Sequence, residues 1–231
     1  MSIRIDDLTV TFKNGVTAVD HVDLEIPHGI FGLLGENGAG KSTLLKIIAG
    51  VEQYDSGSIT KIPHLVIHYL PQQPDMQAGN TVLQQVFLGA SEELRQMKEY
   101  EAKSILTKLG ISDFQQDVST LSGGQKKRVA IASALATPCD LLILDEPTKG
   151  IDVGAKIEIY RMIYDIANQG ISVIVVSSEL PEVIGLSDRV IVMRNKRIVG
   201  EINRKDANEE VILQHAMLEK VGDWDEKQYQ K

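Results

Sequence analysis

Apolar and polar residues alternate over the opening stretch, with Ile3, Ile5, Leu8, Val10 and Phe12, and then Val19, Val22, Leu24 and Ile26, on one side of the pattern. A period of two predicts two half-buried antiparallel strands. Pro27-His28-Gly29 reads as a turn, and residues 30–34 as a buried strand. That strand runs into a glycine-rich segment, after which residues 42–49 read as a helix stopped by Gly50. Strand-like pieces follow at 58–62 and 65–70, before a break marked by Pro71 and Pro74. Residues 82–109 then look helical, with Ala102, Ile105, Leu106 and Leu109 as an apolar stripe and Gly110 as the stop. Beyond them the pattern predicts a helix over 124–136 and a buried parallel strand over 141–144, ended by Asp145. A helix over 154–168 follows, with Ile157, Tyr160, Tyr164 and Ala167 on its apolar face, and then a β-branched strand over 171–176. A hairpin around Asn195-Lys196, with arms at 190–193 and 197–202, precedes a last helix near 207–220. This alternation of strands and helices implies an α/β fold on a mainly parallel sheet.

Length and composition narrow the picture. The 231 residues suit one domain, read here as residues 1–220 with a helical part at about 74–136 and a polar tail at 221–231. The composition, 43% hydrophobic and 24% charged, is that of a soluble protein, and no apolar run approaches the roughly 18 residues a membrane helix needs. With no secretory signal at the N-terminus and Cys139 as the lone cysteine, a small core residue, the expected location is the cytoplasm. Any membrane role belongs to a partner. The net charge of −8 and pI near 5.2 argue against unassisted, non-specific binding of nucleic acid.

The candidate chemistry begins at Gly35-Glu36-Asn37-Gly38-Ala39-Gly40-Lys41-Ser42-Thr43, a phosphate-binding loop in its required strand–loop–helix setting. Its backbone N–H groups and the following helix N-terminus concentrate positive potential for a polyphosphate. Lys41 adds a charge for the β and γ phosphates, and Ser42 a hydroxyl for Mg²⁺, with Asp145 as that ion's second partner. Glu146 stands where a carboxylate can orient or deprotonate a water attacking the γ-phosphate. Gln72, with Gln73 as its neighbouring rival, offers an amide to the ion or the water. Ser122-Gly123-Gly124-Gln125 fits a helix capping box, yet capping does not require two glycines. A bare helix end would let a second chain's γ-phosphate reach its N–H groups.

The loop, the Leu121–Gln125 signature and the Leu144-Asp145-Glu146 strand end, in that order, resemble the ATP-binding-cassette (ABC) family over nearly the whole chain. The resemblance implies a P-loop NTPase core with a mainly parallel sheet, an antiparallel β subdomain and a helical subdomain carrying the signature. It also implies ATP and Mg²⁺ as ligands, two ATP molecules being sandwiched in a head-to-tail pair with a second cassette, either a copy of this chain or a relative. Phe12 matches the aromatic that stacks on adenine, though it also fits a strand core. Gln72 matches the glutamine joining the core to the helical lobe, and Asp152 the loop that communicates across the dimer. Most cassettes carry a histidine where Ser178 stands. Serine there can donate a hydrogen bond but carries no charge, and it also reads as a helix N-cap ahead of Pro181. Competent ATP binding with slow or partner-dependent hydrolysis is therefore expected.

The resemblance changes along the chain: residues 1–50 are similar to exporter cassettes, 69–72 and 101–130 to the translation-associated ABC-F proteins, and 150–183 to the second cassette of monosaccharide importers. The leading expectation is the ATPase subunit of a transporter, docked through the helical lobe after Gln72, including residues 81–90, on a separate transmembrane permease at the cytoplasmic face of the membrane. Two others stand beside it. One is a soluble, ribosome-associated ABC-F-like ATPase, against which speak the single cassette and Lys149-Gly150 where Asn-His would stand. The other is an isolated or engineered cassette without a physiological partner.

Overall fold

The computed structural model describes residues 3–217. A three-stranded antiparallel sheet is built from β1 (Ile3–Thr11), β2 (Thr17–Ile26) and β4 (Ser56–Lys61) in the order β2-β1-β4. The parity of the opening alternation switches between Ile5 and Leu8, and the β1–β2 register shifts there. At this bulge Asp7 and His21 both adopt positive φ (51° and 48°), and His21 Nδ1 lies 2.6 Å from Asp7 Oδ1. The extra residue returns Leu8 and Val10 to the buried face.

The six-stranded sheet has the order β5-β6-β7-β3-β8-β9, from β3 (Ile30–Gly35), β5 (Ile67–Leu70), β6 (Leu141–Asp145), β7 (Ser172–Val176), β8 (Arg189–Arg194) and β9 (Arg197–Asn203). Only the β8–β9 pairing is antiparallel. Its two-residue turn places Asn195 and Lys196 at φ 48° and 72°, as a twist-compatible hairpin demands. Strands β6 and β7 are buried at every position, which is why they read as unbroken apolar runs. Helix α1 (Lys41–Ile48) lies between the two sheets, with Leu44, Leu45, Ile47 and Ile48 in their shared core. Each such side chain contributes about 1.5–3 kcal/mol by leaving water.

A helical layer covers the other face: α2 (Val82–Val86), α3 (Glu92–Lys108) and α4 (Gly123–Ala136), whose core joins that of α5 (Val153–Asn168). Helices α6 (Leu180–Leu186) and α7 (Glu209–Met217) pack on β3, β8 and β9. The C-terminal part of the expected last helix and the polar tail lie outside the described residues.

Two expectations are corrected. Residues 82–109 do not form one helix, because Gly89 takes a left-handed φ of 80° and Ser91 starts a new helix, accepting the Leu94 N–H at 3.2 Å. The buried face of α5 is Ala155, Ile159, Met162, Ile163 and Ile166 with Ala167, whereas Ile157 is 44% exposed. The apolar arc spans more than half the circumference of this helix, opposite a polar stripe of Glu158, Arg161, Asp165 and Asn168, so two stripes satisfied the period. Tyr160 and Tyr164 sit at the rim, where the Tyr164 hydroxyl donates to the Gly185 carbonyl.

Candidate functional site: a phosphate cleft and a bare helix end

The carboxyl ends of β3, β6 and β7 converge on a cleft of about 330 Å³, the usual place for ligands in a parallel sheet. Residues 37–43 line it together with Phe12, Gln72, Asp145 and Glu146. Glycine is required in two places: a Cβ on Gly35 would come within 2.4 Å of the Met193 carbonyl, and one on Gly40 within 2.3 Å of the Ala18 carbonyl. Gly40 also holds φ at 98° and stands at the N-terminus of α1, where no side chain among the described residues caps the helix amides. A cradle pressed this closely to the protein and open on its amide side suits a polyphosphate.

The Lys41 ammonium donates to the carbonyls of Gly35 at 2.5 Å and Glu36 at 3.0 Å. Burial lowers its pKa, while the charges of Glu146 and Asp145 oppose that change. Asp145 is buried, and burial raises its pKa against the opposing effect of the Ser42 hydroxyl. The Tyr69 hydroxyl donates to Asp145 Oδ2 at 3.5 Å, and its own pKa is pushed up to about 12 by burial and that carboxylate. Ser42 and Asp145 are hard oxygen donors side by side, a set that suits Mg²⁺.

Glu146 has a left-handed backbone, φ 52°, unusual for a non-glycine residue. Its N–H donates to the Val176 carbonyl at 2.8 Å, and its Oε2 accepts from the Ser178 hydroxyl at 3.1 Å. Ser178 is therefore not a helix cap: Glu179 precedes α6 without a side-chain cap, and it is Ser177 Oγ that accepts the Glu179 N–H at 3.0 Å. Beneath this loop the buried Glu182 carboxylate accepts from Ser177 at 2.5 Å and from Thr148 at 2.8 Å, joining the chain after β6 to the chain after β7. Phe12 is not a strand core residue. It lies just past β1, 44% exposed, at the mouth of the cleft.

Other expected residues stand apart from this cleft. Ser122 and Gln125 form a complete capping box on α4, with bonds of 2.9 and 3.3 Å. Gly123 and Gly124 face a separate groove lined also by Gln72, Gln73, Lys126, Lys127, Lys149 and Gly150. Asp152 caps α5 through the Ala155 N–H at 3.0 Å and pairs with Arg128 of α4 at 2.5 Å. Of the two glutamines, only Gln72 borders both spaces. Lys149 also borders both, and Lys196, at the hairpin turn, lines the phosphate cleft; sequence reasoning missed the two of them. Lys149 follows Glu146 by three residues and was within reach of the motif. Nothing in the pattern around Lys196 announces its role.

Residues 19–149 match the family model described as ABC transporter. The chain is 34% identical over 237 residues to the ribose import ATP-binding protein RbsA 1 of Rhizobium meliloti, covering 90% of this chain and 46% of that protein. It is 40% identical over 188 residues to the uncharacterized ABC transporter ATP-binding protein YfmR of Bacillus subtilis, covering 65% of this chain and 30% of that one. The chain thus spans less than half the length of either relative. Among solved structures, cbiO1 from Clostridium perfringens, part of the ABC transporter complex cbiONQ, superposes with a TM-score of 0.74 at 28% identity, covering 91% of this chain and 92% of that one. The dimeric ATP-binding cassette MJ0796 bound to ADP and Pi superposes with a TM-score of 0.79 at 24% identity, over 87% of this chain and 98% of that one, a likeness of fold. With its phosphate loop, signature helix and paired strand-end carboxylates set out on this fold, the chain belongs to the ABC transporter family as an ATP-binding-cassette domain.

Proposed function

We propose that this domain binds and hydrolyses ATP, pairs with a second cassette around two Mg·ATP, and through that pairing drives a separate membrane component. The observation that carries the reading is the convergence of Lys41, Ser42, Asp145, Glu146 and Gln72 on one cleft, beside a glycine-lined helix end that the cleft does not use. Amides of 37–43 and Lys41 hold the triphosphate, and Phe12 stacks on the base at the mouth. Ser42, Asp145 and Gln72 hold Mg²⁺, which when bound neutralises charge on the phosphate oxygens. Glu146 orients and deprotonates water, and Ser178 steadies its carboxylate. Hydrolysis is slow because a serine hydroxyl supplies no positive charge beside the γ-phosphate.

Pairing is head to tail. Gly123 has nothing within 4 Å of where a Cβ would sit among the described residues, and Gly124 only the Gly150 carbonyl at 3.6 Å. Neither glycine is needed for packing inside the chain, so a ligand held by the facing cassette accounts for both, with Ser122, Gln125 and Asp152 at the same seam. No helix among the described residues is long and apolar enough to cross a membrane, and in this reading the membrane component is a separate permease. It docks in the groove between the core and the helical layer, where Leu88 is exposed beside Tyr69, Met76 and Ala90. The ribose-import names of the relatives favour inward transport of a small sugar, with cargo choice made by the permease. Turnover of the wild type, Glu146→Gln and Lys41→Ala tests the reading. A wild type that hydrolyses ATP while both variants do not supports it, and equal rates in all three would sink it.

A further inference from the structure

Lys127 is the one buried lysine among the described residues, 6% exposed, and it belongs to the signature helix rather than to the catalytic strand ends. It lies four positions past Gly123, hence one turn along the same face of α4. Its ammonium donates to the Glu146 carbonyl and, at 3.1 Å, to the Lys149 carbonyl. These are the two ends of the segment that follows Asp145, and the Lys149 N–H returns to the Glu146 carbonyl at 3.3 Å. A buried ammonium held by neutral carbonyls is a costly way to fill space, and an apolar side chain of similar volume is often neutral or stabilising at such a site. Its placement therefore asks for a reason other than packing.

That reason lies at Glu146. A non-glycine residue in the left-handed region costs about 1–3 kcal/mol and persists where its surroundings over-determine it. Four contacts hold this one: Val176 takes its N–H, Ser178 binds its carboxylate, and Lys127 and the Lys149 N–H both bind its carbonyl. The first two come from β7 and the loop after it. Lys127 alone comes from the helical layer, so it makes the direction of the catalytic carboxylate depend on where α4 stands.

We infer that Lys127 is a positioning residue for hydrolysis, tying the glycine end of α4 to Glu146 of the same chain, so that a ligand engaging Gly123 and Gly124 sets the geometry of this chain's own cleft. The inference rests on the reading of that cleft as an ATPase site. In a head-to-tail pair it links the two clefts: the nucleotide held by one chain, on closing against the partner's α4, aligns the partner's carboxylate.

Turnover and nucleotide affinity of Lys127→Met, Lys127→Arg and Lys127→Met combined with Glu146→Gln test it. Displacing a catalytic group by about 1 Å costs up to about a hundredfold in rate, so Lys127→Met should lose ten- to a hundredfold in kcat, with KM and Tm close to wild type. Lys127→Arg, which keeps donors for both carbonyls, should recover most of the rate. On the Glu146→Gln background Lys127→Met should remove nothing further, the non-additivity expected of a residue acting through another. A Lys127→Met enzyme at the wild-type rate overturns the inference while leaving the ATPase reading intact. So does a loss of rate that travels with weakened nucleotide binding and a lower Tm and is not restored by arginine. Glu146→Gln turning over like wild type sinks the reading of the cleft and the inference with it. If Lys127→Met fails to fold, Lys127→Gln carries the same expectations.

Discussion

The two glycine-bearing ends of this molecule answer to different constraints. In the phosphate loop, glycine at Gly35 and Gly40 is dictated from inside the chain, by the Met193 and Ala18 carbonyls that press against it. At the start of α4, Gly123 faces open space and Gly124 has only the Gly150 carbonyl at ordinary contact distance, and a capping box already completes the helix without them. A residue choice that a chain's own packing explains reports on folding and on what the chain binds alone. One that its packing leaves free reports on what comes from outside.

The largest effect expected from this contrast is at Gly40→Ala. The substitution forces a Cβ into the Ala18 carbonyl at a left-handed position, and it should abolish nucleotide binding, a loss of at least about a hundredfold in affinity measurable by titration with a fluorescent ATP analogue. Gly123→Ala with Gly124→Ala should behave in the opposite way. Alanine favours helix over glycine by up to about 1 kcal/mol per position, so Tm should hold or rise and nucleotide affinity of the single chain should stay within about twofold. ATP-dependent pairing should nevertheless be lost, and with it turnover. If this double variant pairs normally, the contrast between the two ends fails.

Smaller effects sharpen the picture at the junction of β6 and β7. Ser178→His places a chargeable ring beside Glu146, where Ser178 now donates at 3.1 Å, and turnover should rise about tenfold over wild type, within the range of a well-placed proton-transfer or charge-stabilising group. An unaccelerated variant beside an already fast wild type would contradict the account of slow hydrolysis.

The smallest effect concerns stability. Burial raises the pKa of Glu182 above its unfolded value, against the hydrogen bonds from Ser177 and Thr148. A carboxyl raised in the folded state binds its proton more tightly there, so its contribution to stability is fully present below the unfolded pKa and is lost as pH rises through the folded one. Glu182→Gln lacks this dependence. Its Tm should therefore gain on that of wild type as pH is raised from about 4 to 7, since the loss begins near the unfolded carboxyl pKa.

Much of this architecture was legible in the residues. Strands β6 and β7 announce themselves because they are covered on both faces, and the β8–β9 turn because Asn195-Lys196 accepts positive φ. The phosphate loop was legible for the same kind of reason, since glycine spacing and the adjoining lysine are local demands. The buried face of α5 was misread because its apolar arc is wider than the face it buries, and the break before α3 because one glycine and one serine interrupt an otherwise helical stretch. Ser178 meeting Glu146, 32 positions away, and Lys127 meeting it, 19 positions away, leave no local pattern at all. They arise from how strand ends are stacked side by side.

The central claim is that triphosphate held in one chain's amide cradle is completed by the glycine end of another. Light scattering on Glu146→Gln, with and without saturating Mg·ATP, tests it most directly. The expected mass is near 25.4 kDa without nucleotide and about twice that with it, reverting when ATP is removed. A protein that binds Mg·ATP to saturation and stays at 25.4 kDa would contradict it.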